Sequence, residues 1–264
     1  MSKVVTIVQA RMSSSRLPGK VMMPILEKPI LDRQLERMKN SKLCGQIVVA
    51  TSTNANDNII EEYCLKNNIE VYRGDEDDVL NRHYQCALKY GAEIVAKIPS
   101  DCPLIDSRVI DRVFDYFFLS NFDFVSNLHP ASYPDGNDVE VFTISALEIA
   151  NKAALKKLER EHTTPYFWEN PNLFKIGNIV WEKELDYSMS HRFTLDYLDD
   201  FLFIKNVFEE LYADNSNFSL DDILSLLESK PEIYEINSKY AGVNWYRNHL
   251  DDLQTITAKQ TKKI

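Results

Sequence analysis

The opening stretch constrains the fold more than any other part of the chain. Val4-Val5-Thr6-Ile7-Val8 is an apolar, β-branched run of strand length, the composition of a strand buried on both faces. It breaks into Ser13-Ser14-Ser15 and then Pro18-Gly19, which cannot continue a strand. The loop carries Arg11, Arg16 and Lys20 and no acid. A buried strand that ends in free backbone N–H groups and cations is how open α/β sheets hold phosphate. The charge distribution supports this. The formal net charge is −10, yet residues 1–42 hold nine Lys or Arg against three Asp or Glu. Positive charge gathered where the sheet begins can focus an anionic ligand.

Strand and helix patterns then alternate. Pro29 suits a first helical position, and Leu31, Leu35 and Met38 share one face of a helix ending near 38. A strand is predicted at 47–51, and a helix at 57–67 with Ile59, Ile60, Tyr63 and Cys64 inward. A strand at 69–72 leads into a turn at 73–75. The next helix begins at 77–82, with acids in its first turn as the helix dipole favours. Strand 93–98 ends in Pro99-Ser100-Asp101-Cys102-Pro103, and helix 106–119 and strand 122–126 follow. This alternation implies a parallel sheet with right-handed crossovers.

The regularity then falters, and 128–181 reads as an insertion. It holds a loop at 128–138, a strand at 139–142, a helix at 145–159, a short helix around Pro165 and a strand at 173–181. The main sheet is expected to resume at 191–196 and to lead into a helix through 211. Ser219 caps a helix over 219–228. Residues 1–250 read as one domain and 251–264 as a polar tail, of which 255–264 is expected to fray. Tyr166-Phe167-Trp168 suggests a homodimer surface, since aromatic side chains are enriched at interface cores.

Other classes are excluded by composition. Cys44, Cys64, Cys86 and Cys102 are widely spaced, which argues against disulfides and structural zinc and for a reducing cytoplasm. Apolar runs are too short to span a membrane. A pI near 5.1 argues against nucleic acid as the main partner.

Arg11-x-x-Ser14-x-Arg16-Leu17-Pro18-Gly19-Lys20 resembles the N-terminal signature of the cytidylyltransferases that activate sugars. These include 3-deoxy-manno-octulosonate, acylneuraminate and spore-coat-polysaccharide-type cytidylyltransferases. It is not a Walker loop, because Val21 follows Gly19-Lys20. Ser100-Asp101-Cys102-Pro103-Leu104 resembles the family's Gly-Asp-x-Pro-Leu, with Ser100 replacing the glycine. Leu195-Asp196-Tyr197-Leu198-Asp199-Asp200-Phe201 resembles Val-Asp-Thr-Pro-Glu-Asp-Leu, with Tyr197-Leu198 departing from Thr-Pro. Asp78-Val79-Leu80-x-Arg82 resembles the spore-coat-type pattern. So do Tyr133-Pro134-Asp135-Gly136-x-Asp138-Val139-Glu140 and Arg160-Glu161-His162-Thr163-Thr164-Pro165.

The resemblance implies a Rossmann-like nucleotidyltransferase sheet (GT-A-like), mostly parallel and flanked by helices. It implies that CTP lies against Ala10, Arg11, Ser14, Arg16, Gly19, Lys20, Arg82 and Asp101. Asp101 and Asp196 would bind Mg²⁺ as hard oxygen ligands. Lys20, Arg16 and Arg11 would stabilise the departing pyrophosphate. Asp135, Glu140, Arg160 and His162 would face a small sugar-derived acceptor. An anionic group on it is expected to be held by Arg192 or Arg160, whose planar forks suit carboxylate and phosphate. The general base is open, His162 being a candidate, and guanine or uracil remain alternatives to cytosine. A glycosyltransferase on a related sheet and a non-catalytic nucleotide-binding module are the competing readings.

Overall fold

The structure, a computed structural model, describes residues 2–263. Nine strands occur among them: β1 Val4–Gln9, β2 Pro24–Ile25, β3 Lys28–Pro29, β4 Gln46–Ser52, β5 Glu70–Gly74, β6 Ile94–Lys97, β7 Phe124–Ser126, β8 Glu140–Thr143 and β9 Ile176–Asn178. The α-helices are α1 Ile30–Met38, α2 Asn58–Lys66, α3 Val79–Lys89, α4 Ser107–Leu119, α5 Ile144–Ala153, α6 Lys157–His162, α7 Pro165–Trp168, α8 Leu198–Leu211, α9 Leu220–Ser229 and α10 Pro231–Glu235. Seven strands form one sheet in the order β5-β4-β1-β6-β8-β7-β9, and β2 and β3 form a separate hairpin. β5, β4, β1 and β6 run parallel, while β8 is antiparallel to both β6 and β7.

Strand periodicity splits the core between two faces. Val48, Ala50, Val95, Phe124 and Phe142 join one cluster, with α3, α5 and α7 packed over it. Val49, Ala96, Val125 and Val141, one residue on or back, face the other, beneath α1, α2, α4, α8 and α9. The first strand is buried on both sides, as its composition predicts: Val5, Ile7 and Val8 are fully enclosed. Ser219 caps α9 as expected, its hydroxyl accepting from the Asp222 N–H. All four cysteines are unpaired and buried.

Several expectations need correction. Pro29 precedes α1 rather than beginning it. Ile59 points outward, with Ile60 and Cys64 alone buried on α2. Arg73 and Gly74 belong to β5, not to a turn. The helix expected over 145–159 is two. Ala154 turns extended, and the buried Glu159 carboxylate accepts the Leu155 and Lys156 N–H groups at 3.1 and 3.0 Å, starting α6 afresh. The strand expected over 173–181 shrinks to β9.

The segment 128–181 adds strands β8 and β9 to the main sheet and covers it with α5, α6 and α7. Phe167 and Trp168 are 0% and 4% exposed, inside the chain's own core. The homodimer expected from them loses that support. Residues 191–196 form no strand of the sheet; a single bridge pairs Arg192 with Asp135. The tail expected to fray is docked, with Ile256 and Thr261 buried and the Lys262 N–H donating to the Gly242 carbonyl at 2.7 Å.

Candidate active site

A cavity of about 590 Å³ opens at the carboxyl ends of β1 and β6. The loop after β1 forms one wall. Its shape is set by Asp57, which is buried and accepts the Met12 N–H at 2.7 Å and the Ser52 hydroxyl at 2.5 Å. Gly19 closes the loop in left-handed conformation (φ 73°), its N–H donating to the Met12 carbonyl at 2.9 Å. Ala10, Arg11, Ser14, Arg16 and Lys20 line the cavity; Gly19 does not, and its part is conformational. Arg82 reaches the same space from α3. One of its nitrogens donates to the Asp75 carbonyl at 2.8 Å, while its buried Nε has no partner. Burial, with repulsion from Arg11, lowers the Arg82 guanidinium to about 10. An anion between these two arginines would relieve both effects.

Asp101 and Asp196, 95 positions apart in sequence, converge here. Lys20 Nζ lies 3.0 Å from Asp196 Oδ1 and 3.7 Å from Asp101 Oδ2. The convergence does not arise from two strand ends of one sheet. Instead the Leu195 N–H and the Thr194 hydroxyl both donate to the Asp101 carbonyl, at 2.8 and 3.1 Å. Gly136 permits the close crossing, since a Cβ there would sit 2.6 Å from the Phe193 backbone. Burial disfavours the Asp196 carboxylate, but Lys20, Arg16 at 2.6 Å and Arg192 at 3.1 Å outweigh it and hold its pKa at about 2.

Negative charge is in excess just beyond. Asp135 and Asp138 line the cavity, and burial raises both, Asp135 further under repulsion from Asp138, and Asp138 to about 7 under repulsion from Asp101 and Glu140. Hard carboxylate oxygens in an electron-rich corner fit Mg²⁺. Among the described residues no three His, Cys, Asp or Glu side chains are arranged to hold a metal. An ion at Asp101 and Asp196 would take its other ligands from phosphate and water.

The acceptor residues inferred from the resemblance divide. Asp135, Glu140 and His162 line the cavity. Glu140 is committed to Lys97 at 2.6 Å, and the same ammonium donates to the His162 carbonyl at 3.0 Å. Arg160 lies outside the lining, tied to Asp78 and to the Asn151 carbonyl. Arg192 is fully enclosed. Its fork donates to Asp200 at 2.9 and 3.1 Å, to Asp196, to Asp135 at 3.3 Å and to the Val243 carbonyl at 2.6 Å. Neither arginine is free for an acceptor. Both sit among carboxylates that use up the charge, which residue type alone does not reveal.

Lys97 and the C-terminal residues 243–260 were not singled out by the sequence. A lysine near the end of the apolar run 94–98 was the available signal for the first. The second carries no motif.

His83 is buried and His129 and His162 are half-buried, and desolvation lowers each from 6.5 to about 3. Unfolded, the rings bind a proton near 6.5; folded, they stay neutral until about pH 3. The unfolded chain therefore binds more protons below 6.5. Stability present above that pH is lost as pH falls toward 3, at about 1.4 kcal/mol per ring per unit well below 6.5. Asp135 and Asp138, whose carboxyls are raised in the fold, gain stability over the same range and offset part of this loss. A shallow fall in melting temperature between pH 6.5 and 5 is the expected result, and a rise would mean that the rings are protonated in the fold.

A sequence model of the cytidylyltransferase family matches residues 5–240. The chain is 38% identical over 236 residues to an uncharacterized protein of Methanocaldococcus jannaschii, covering 89% of this chain and 95% of that one. It is 28% identical to the spore coat polysaccharide biosynthesis protein SpsF of Bacillus subtilis, over 88% and 97% of the two chains. A cytidylyltransferase structure from Leptospira borgpetersenii superposes with a TM-score of 0.83 at 34% identity, over 89% of this chain and 97% of that one. With a continuous match across the cationic loop, both converging aspartates and the main sheet, the chain belongs to the cytidylyltransferase family.

Proposed function

We propose that the chain transfers CMP from CTP to an oxygen of a small, sugar-derived acceptor and releases pyrophosphate, in the building of a cell-surface polysaccharide. The observation that carries this reading is the meeting of Asp101 and Asp196 at Lys20, beneath a loop of cations. The relatives' names, a spore coat polysaccharide biosynthesis protein and 3-deoxy-manno-octulosonate cytidylyltransferases, supply the acceptor class. Residues 1–250 act in this reading as one nucleotidyltransferase domain. Four unpaired, buried thiols favour a reducing cytoplasm.

Arg11, Ser14, Arg16 and Lys20 bind the triphosphate, and Arg82 lies beside the nucleoside. The acceptor oxygen attacks the α-phosphorus in line, the bond to the β-phosphate oxygen breaks, and the acceptor proton is lost. Lys20 and the arginines stabilise the charge that develops on pyrophosphate. Asp101 and Asp196 would hold Mg²⁺, which supplies Lewis-acid stabilisation of phosphate oxygens. His162, held near 3, is a poor base at neutral pH. A pyrophosphate-release screen of the four nucleoside triphosphates against acidic sugars, phosphosugars and phosphonates tests the reading. Release with CTP and one acceptor class is expected; release with none, or with GTP or UTP in preference, would contradict it.

A further inference from the structure

The cavity has two unlike halves. Arg11, Arg16, Lys20 and Arg82 gather on the side of the cationic loop. The opposite side is walled by residues 243–260, which lie beyond the residues matched by the family model, and by His129, His162 and Trp168. The Trp245 indole stacks on the His162 imidazole, with centroids 3.8 Å apart and planes 13° from parallel. Tyr246 and His129 pack around Trp168 at 6.3 and 4.4 Å.

This wall is fixed. Arg192 donates to the Val243 carbonyl at 2.6 Å, so the side chain that positions Asp196 also anchors the segment. Glu169 accepts the Gln254 and Thr255 N–H groups at 2.7 and 3.0 Å, and Leu253 and Ile256 are buried beneath.

The chemistry of this half is mainly neutral: Lys259 and His249 also line it, Lys259 as an exposed ammonium at the rim. Arg160 and Arg192 are absent from it, and Lys97 is spent on Glu140. Burial keeps the His129 and His162 rings uncharged. Trp168 Nε1–H and His129 Nδ1 are buried with no hydrogen-bond partner, a state that a ligand hydroxyl would relieve. Indole and imidazole faces suit C–H surfaces, and lone N–H and ring-nitrogen groups suit hydroxyls. A carboxylate or phosphate would find no guanidinium fork there.

We propose that segment 242–262 is the acceptor-selecting wall of this enzyme, and that it receives a polyhydroxylated body against Trp245, Trp168 and His129. Any acidic group of the acceptor then points toward Lys20 and the aspartates. The inference rests on the cytidylyltransferase reading of the cavity. It goes beyond that reading by adding Trp245, which lies outside the residues matched by the family model, to the acceptor contacts of Trp168 and His129.

The chain has three tryptophans, and Trp181 does not line the cavity. The indole N–H resonances of ¹⁵N-labelled enzyme therefore carry their own reference. CTP is titrated first, without magnesium. Sorbitol, 3-deoxy-manno-octulosonate and pyruvate are then added separately at millimolar concentration. Both polyols are expected to move the Trp245 and Trp168 signals and leave Trp181 in place, while pyruvate moves none. Trp245→Ala is expected to weaken apparent polyol affinity roughly three- to tenfold, the effect of one lost aromatic contact, and Trp245→Phe to restore most of it. CTP affinity should stay unchanged in both. Failure of both polyols to move either signal, or an equal response to pyruvate, overturns the proposal. Failure of CTP to bind would instead overturn the cytidylyltransferase reading, and the polyol titrations would still judge the wall.

Discussion

Asp196→Asn is expected to lower cytidylyl transfer by about two to four decades while the chain still folds. Asparagine keeps the shape and the turn-forming ability of aspartate but loses the charge that Lys20, Arg16 and a metal ion would share. Asp101→Asn should fall as far. Its side chain is one-third exposed and meets only Lys20 and the Cys102 thiol, each at 3.7 Å, so its loss should scarcely alter the melting temperature. Asp196 is enclosed by three cations, and its replacement should cost some stability as well. The double variant should drop little below either single one, because both carboxylates act through one cation. Pyrophosphate release across a magnesium titration reads all three, and a single variant with ordinary rates would break the link between the two residues.

The second large effect falls on stability. Arg192 has no exposed surface and neutralises Asp200, which is equally buried, together with Asp135 and Asp196. Arg192→Met removes the cation and leaves buried carboxylates unpaired, which costs about 3–5 kcal/mol. Arg192→Lys should recover little, since one ammonium cannot reproduce a fork that donates in four directions. Urea unfolding compared with the parent chain measures this. A midpoint unchanged in Arg192→Met would show that the carboxylates are neutral in the fold and that Arg192 holds nothing together.

These two residues also mark what the sequence can reveal. The loop from Arg11 to Lys20 was legible because its chemistry is local: a buried strand, chain-breaking residues and cations follow one another directly. Asp101 and Asp196 do converge, on Lys20. The mechanism assumed for their meeting, two strand ends of one sheet, was not the one the chain uses. The 191–196 segment crosses the rim and hangs from the Asp101 carbonyl, a contact 93 residues distant that no periodicity encodes. Arg192 and Arg160 were misplaced for a related reason. A guanidinium in a sequence has a charge but no partners, and here Asp200, Asp135 and Asp78 claim it first. The break at Ala154 was hidden because helical spacing continues across it, and the Glu159 side chain that restarts the helix competes only once folded. Residues 243–260 reach the cavity by docking the chain's end across it, which composition does not announce.

The most direct test of the central claim follows one phosphorus atom. CTP labelled at the α-phosphate is incubated with enzyme, magnesium and the acceptor found by the screen, and products are separated. The expected result is label in an acceptor-linked CMP and an equal yield of unlabelled pyrophosphate, both lost in Asp101→Asn. Label recovered wholly as CTP, or an acceptor product formed without pyrophosphate, would contradict the account.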